Sequence, residues 1–148
     1  MVSTEQKTFH CELIGPMGKL LDCRTGSVVF PAHDGQVGVL VDHMPMLGQL
    51  GLGIMKVAQL PAESSETASS TAYLEFFIDG GFALVAENSV TVIAYSVLAL
   101  HGVTSEAVQS LLDKTAKNLA SPRLSPAQRT HENERMRTLR SIKDSLTS

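Results

Sequence analysis

Three features of the chain point to an N-terminal antiparallel β-sandwich of about ten short strands followed by a C-terminal antiparallel α-helical hairpin. Turn signals built from Gly, Pro, Asn and Asp recur roughly every ten residues up to Gly102 and separate short apolar runs. All eleven glycines lie at or before Gly102, and none follows it. Beyond that point the apolar residues fall at helical 3–4 spacing instead of alternating. This break separates a sandwich domain over 1–101 from a helical hairpin over 102–148.

Residues 1–6 are polar and read as a frayed start. Phe9 to Ile14 forms the first strand, and Gly15-Pro16-Met17-Gly18 turns it back. Lys19 to Arg24 is the second strand, and Gly26 marks the next turn. Val28-Val29-Phe30 then enters a hairpin whose turn is Asp34-Gly35, because a tight reversal needs φ > 0 and glycine supplies it. The return strand, Gln36 to Val41, runs into a rigid His43-Met44-Pro45 corner, since Pro45 fixes φ and keeps Met44 extended. Leu47 to Leu50 and Leu52 to Ala58 follow as strands, the latter alternating as a half-buried strand should. Residues 61–71 hold Ser, Thr and Glu without apolar pattern and read as a flexible surface loop.

Tyr73 to Ile78, Phe82 to Ala86 and Val90 to Ala94 complete the strands, divided by Asp79-Gly80-Gly81 and Glu87-Asn88-Ser89. Thr104 or Ser105 caps a first helix with Val108, Leu111, Leu112, Thr115 and Leu119 on its apolar face. Ser121-Pro122 ends it, and Ser125-Pro126 opens a second helix as an N-cap and first-turn proline. Its stripe, Met136, Leu139, Ile142 and Leu146, is thin, so the hairpin needs a surface to lean on.

Charge divides along the same boundary. Residues 1–103 carry four cations and ten acids, and residues 104–148 carry eight cations and five acids. Such asymmetry suggests two parts that face different partners, the plain alternative being a solvated helical surface that carries more Lys and Arg. Nucleic-acid binding is not expected: the sheet half is acidic, and the basic second helix has no aromatic residue. Cys11 and Cys23 are too few for a disulfide framework, and both fall in strands as inert thiols. With no signal peptide and no apolar run of membrane-spanning length, the chain reads as soluble and cytoplasmic, reaching a membrane only through a partner.

The sequence carries no recognisable catalytic residue, cofactor motif or metal-ligand set. The five histidines are scattered, with His33 and His43 bracketing the hairpin and no Cys or carboxylate completing a site. Gly51-x-Gly53 and Gly80-Gly81 open no helix, so they belong to turns and bulges, not to a phosphate cradle. No nucleophile, base and oxyanion set can be assembled.

Two blocks carry a family resemblance. Val28-Val29-Phe30-Pro31, Asp34-Gly35-Gln36-Val37-Gly38-Val39-Leu40, His43-Met44-Pro45-Met46-Leu47 and Leu50-Gly51-Leu52-Gly53 form the first. Gly80-Gly81-Phe82, Val85, Asn88 and Val90-Thr91-Val92-Ile93-Ala94 form the second. In order and spacing they resemble the epsilon subunit of bacterial F-type ATP synthase. The resemblance implies a non-catalytic central-stalk (rotor) subunit without cofactor or metal, coupling proton flow through a ring of c subunits to ATP synthesis. It implies a peripheral place on the cytoplasmic face of the bacterial inner membrane. It assigns His43, Met44, Pro45, Met46 and Leu47 to a gamma-subunit interface, and Asp34, Gly35, Gln36 and Val37 to the c-ring. It makes the hairpin an arm that inhibits ATP hydrolysis, with Arg129, Arg135, Arg137, Arg140 and Lys143 facing acidic groups of the catalytic beta subunits.

Four features depart from the family pattern. Gln36 replaces an acid, Val41-Asp42 replaces Pro-Gly, and the 61–71 loop is long. The Asp-x-x-Arg signature of ATP-binding members is missing at Val103 to Val108, so little or no ATP binding is expected. The alternative from another class is a stand-alone β-sandwich adaptor that belongs to no ATP synthase.

Overall fold

Two of the strands are far longer than the spacing of turn signals implies. The computed structural model of the chain describes residues 7–60 and 72–147, so the frayed start and the 61–71 loop lie outside the described residues. Among the described residues there are eight strands: β1 (Phe9–Gly15), β2 (Gly18–Thr25), β3 (Ser27–Ala32), β4 (Gly35–Leu40), β5 (Met46–Ala58), β6 (Tyr73–Ala86), β7 (Ser89–Ala94) and β8 (Val97–Ala99). The segments expected as four short strands are the two halves of β5 and of β6, which pair along their whole lengths. Gly51 and Gly80-Gly81 bend these strands without ending them. Gly80 and Gly81 take φ of +79° and +132°, a region that glycine enters without steric cost and side chains rarely adopt.

The strand order is β2-β1-β7-β6-β5-β3-β4, with β8 added to β6. All pairs are antiparallel except β1 with β7, which is parallel. Bent at its glycines, the sheet closes on one core. Phe9, Cys11 and Leu13 of β1 meet Val28 and Phe30 of β3, Met55 and Val57 of β5, Phe76 and Ile78 of β6, and Val90 and Val92 of β7. Gly51 and Gly53 permit the close approach of β3 over β5: a Cβ on Gly51 would lie 2.7 Å from the Ala32 carbonyl oxygen, and one on Gly53 would lie 2.9 Å from Pro31 Cβ.

The thiols differ in access. Cys11 and Cys23 oppose each other across β1 and β2. Cys11 is buried, and burial first, then Cys23 and neighbouring carboxylates, pushes its thiol up to about 12. Cys23 is half-buried and raised for the same first reason. At pH 8 such a shift leaves Cys11 with roughly a thousandfold less thiolate than a free thiol. Iodoacetamide is therefore expected to label Cys23 first in the folded chain and Cys11 only after unfolding, as peptide mass spectrometry would resolve. Equal labelling rates in the native state would contradict the assigned core.

The chain divides into two compact units at His101/Gly102. The second holds α1 (Ser105–Leu119) and α2 (Pro126–Thr147). Thr104 is the N-cap of α1, its side chain accepting from the Ala107 N–H at 3.2 Å. Ser125 and Gln128 form a capping box on α2: Gln128 N–H donates to Ser125 Oγ at 3.2 Å, and Ser125 N–H donates to Gln128 Oε1 at 2.9 Å. Two cross-links make the helices an antiparallel pair. Arg129 Nη1 donates to the Leu119 carbonyl at 3.0 Å, joining the end of α1 to the start of α2. At the other end Lys143 Nζ donates to Gln109 Oε1. Among the described residues no helix is long and apolar enough to cross a membrane.

Candidate functional site

The β3–β4 tip is a two-residue loop. Ala32 pairs with Gly35, which leaves His33 and Asp34 at the reversal, one position earlier than the Asp34-Gly35 turn expected from sequence. The strain falls on Gly35 at φ +140°. The His33 N–H donates to the Gln49 carbonyl at 3.1 Å and ties the tip to β5. Asp34, Gly35 and Gln36 are exposed and Val37 is half-buried, a small polar projection on a fixed base.

The corner lies at the far end of β4, roughly 17–20 Å away for a strand of that length. The His43 N–H donates to the Leu40 carbonyl at 3.2 Å, closing a turn whose third residue, Asp42, has φ +63°. Aspartate is among the few residues other than glycine that accept this region. Asn88 supports it, since the Asp42 N–H donates to Asn88 Oδ1 at 3.1 Å. Glu87 and Asn88 themselves sit at φ +50° and +55° in the β6–β7 turn. His43 Nδ1 lies 2.7 Å from the Met44 carbonyl oxygen. A carbonyl only accepts, so this nitrogen carries the proton. The imidazole is thereby committed to shaping the corner, and His33 joins no cluster with it.

Met44 and Leu47 are 79% and 72% exposed. They are the start of a larger apolar surface that sequence reasoning missed. Leu47 faces Leu84, and Phe82 faces Ile93 across β6 and β7. Phe82, Leu84, Ile93 and Tyr95 are all exposed, and the Phe82 and Tyr95 rings meet edge-on with centroids 6.0 Å apart. Contiguous exposed apolar residues of this kind form a candidate docking surface. The signal was present in Phe82-Ala83-Leu84-Val85, where both alternating faces are apolar, but only strand pairing joins it to the corner.

The arm cations separate by role. Arg129 is taken up by the α1 carboxyl end, reaching the Leu119 and Ser121 carbonyls. Lys143 bridges the two helices. Arg135 is half-buried, while Arg137 and Arg140 are exposed and line an open groove on α2 with Asn133, Met136 and Ser141. Register also assembles a set that is not legible along the sequence: His10, Glu12 and Asp22 converge on the outer face of β1 and β2. The Asp22 carboxyl is held below the usual carboxylate range, first by the His10 hydrogen bond and then by that of Lys19.

The residues 8–99 match the family described as ATP synthase, Delta/Epsilon chain, beta-sandwich domain. The ATP synthase epsilon chain of a Synechococcus species is 31% identical over 89% of this chain and 90% of its own length. That of a Jannaschia species is 30% identical over 71% of this chain and 72% of its own. The mitochondrial ATP synthase subunit delta of Kluyveromyces lactis is 36% identical over 64% of this chain and 54% of its own. Among solved structures, a chain of the Euglena gracilis mitochondrial ATP synthase, in an assembly of OSCP, F1 and c-ring, superposes with a TM-score of 0.63. It covers 94% of this chain and 81% of that one, and at 20% identity it speaks for the fold alone. Nothing in these matches favours the stand-alone adaptor. With the sandwich, its bends and its two-helix appendage in place, the chain belongs to the ATP synthase delta/epsilon chain family.

Proposed function

We propose that the chain is the non-catalytic central-stalk subunit of an ATP synthase, with the sandwich as a clamp on the rotor and the hairpin as a regulatory arm. Family membership supports the rotor role. The observation that carries the docking assignment is the apolar surface continuing from Met44 and Leu47 onto β6 and β7. In this reading gamma takes His43, Met44, Pro45, Met46 and Leu47 together with Phe82, Leu84 and Ile93. The c-ring takes the Asp34-Gly35-Gln36-Val37 tip. Uncharged Gln36 makes that contact one of shape and hydrogen bonding.

On the arm, Arg137 and Arg140 carry the charge offered to the catalytic beta subunits. Arg129 and Lys143 hold the hairpin's own geometry and support the other two from within. Surface ion pairs contribute about 0–1 kcal/mol each, so the arginines bias the arm between states and do not lock it. The complex sits on the cytoplasmic face of the bacterial inner membrane, reached through its partners.

Reconstitution with gamma and the catalytic head tests the proposal. The chain is expected to co-purify with gamma. Removing residues 104–148 should leave that association intact and raise ATP hydrolysis several-fold, because the arm acts only through its differential affinity for one state of the head. A chain that ignores gamma sinks the rotor assignment; unchanged hydrolysis on truncation sinks the inhibitory arm alone.

A further inference from the structure

We propose that the outer face of the β1–β2 hairpin is a binding site for a borderline transition-metal dication of the zinc(II) class, held by His10, Glu12 and Asp22. Strand alternation puts His10 and Glu12 side by side on β1, and the register sets Asp22 directly opposite Glu12 on β2. One ligand atom from each lies within 4.8 Å of the other two. His10 Nε2 stands 3.6 Å from Glu12 Oε1 and hydrogen-bonds to Asp22 Oδ1. Metal–ligand bonds of about 2.0–2.2 Å in a tetrahedral site demand ligand separations of roughly 3.3–3.5 Å, so small rotations complete the set. The support is firm, because the alternate residues of β1, namely Phe9, Cys11 and Leu13, are locked in the core.

The donor set selects the metal. An imidazole nitrogen beside two carboxylates suits zinc-like ions, whereas magnesium and calcium prefer oxygen alone. Three protein ligands leave a fourth position open to water or to a partner's side chain.

Lys19 is the built-in competitor. Its Nζ lies 2.9 Å from Asp22 Oδ2 and 3.7 Å from Glu12 Oε2, the oxygens turned away from His10. The other oxygens, Asp22 Oδ1 and Glu12 Oε1, remain on the histidine side. Its side chain is half-exposed and free to withdraw into solvent. The other cation of this face, Arg24, is directed to Thr8, donating to its hydroxyl and carbonyl at 2.9 Å each.

The test is zinc titration by calorimetry on the full chain after chelator treatment, with cobalt(II) absorption reporting ligand type. One site per chain is expected, with zinc displacing cobalt. His10→Ala and Glu12→Gln should each weaken zinc binding at least about 100-fold, beyond the effect of disturbing a ligand's support. Lys19→Met should tighten it severalfold by removing the competing charge, and Cys23→Ser should leave it unchanged. The far-ultraviolet spectrum of each variant verifies the fold, with Glu12→Gln preserving side-chain shape. Absence of binding, binding that survives His10→Ala, loss of binding in Cys23→Ser or weaker binding in Lys19→Met would each overturn the site.

Discussion

Gly81→Ala is expected to destabilise the sandwich by about 2–6 kcal/mol or more. The backbone there has φ +132°, and an added Cβ would lie 2.0 Å from the Ile93 carbonyl oxygen and 2.9 Å from Ala94 Cα. Both neighbours are backbone atoms of β7, which is pinned between β6 and β1, so neither can retreat without breaking a ladder. Strain at a glycine-only conformation costs about 1–3 kcal/mol, and overpacking against fixed backbone adds about 1–3 kcal/mol or more. The sum reaches much of the stability of an ordinary domain, about 5–15 kcal/mol.

Gly18→Ala is the matched control. Its φ is +123°, but nothing lies within 4 Å of the added carbon. It should lose only the strain component, about 1–3 kcal/mol. Urea unfolding followed by circular dichroism gives both values. Equal losses at the two positions would mean that the close packing of β6 on β7 is not what demands glycine.

The double substitution Phe82→Asp and Leu84→Asp should abolish association with gamma while the chain stays folded. Both side chains are about half-exposed, at 45% and 49%, and neither belongs to the core cluster. The fold should lose little beyond the Phe82–Tyr95 ring contact, about 0.5–1.5 kcal/mol. At an interface the balance reverses. Each apolar anchor buried by a partner contributes on the order of 2 kcal/mol, and each buried carboxylate without a partner is penalised further. A fall in affinity on the order of a thousandfold or more follows, read by co-purification and by titration with gamma. Normal binding by a folded double variant would move the gamma contact off this face. A matching Asp34→Ala and Gln36→Ala variant should leave gamma binding unchanged, since the tip lies at the other end of β4.

Local rules carried much of the fold. Helix starts were legible because capping is a matter of neighbouring residues: Thr104 with Ala107, and Ser125 with Gln128, lie three apart in sequence and form without help from elsewhere. Strand positions were legible from alternation. Strand number was not, since glycine ends a strand in one context and bends it in another, and Gly51 and Gly80-Gly81 do the second. The reversal at the tip shifted by one residue because Ala32 pairs with Gly35, a register set by β3 against β4.

The candidate sites divide the same way. The tip and the corner are contiguous stretches, so a linear motif can carry them. The apolar surface draws on β5, β6 and β7, and the His10-Glu12-Asp22 cluster on two strands. Arg129 and Lys143 looked equivalent to Arg137 and Arg140 as charges on one helix. Only hydrogen bonds to α1 distinguish Arg129 and Lys143, which brace the hairpin, from the exposed Arg137 and Arg140.

Composition, periodicity and short motifs thus pointed to a sandwich, a hairpin and the family to which both belong, because alternation, capping and contiguous motifs can be read within a few residues. Pairing and packing decided where the sheet bends, which apolar residues remain outside and which charges meet. Those depend on contacts between residues far apart in the chain, and a one-residue change of register would turn each of those side chains to the opposite face.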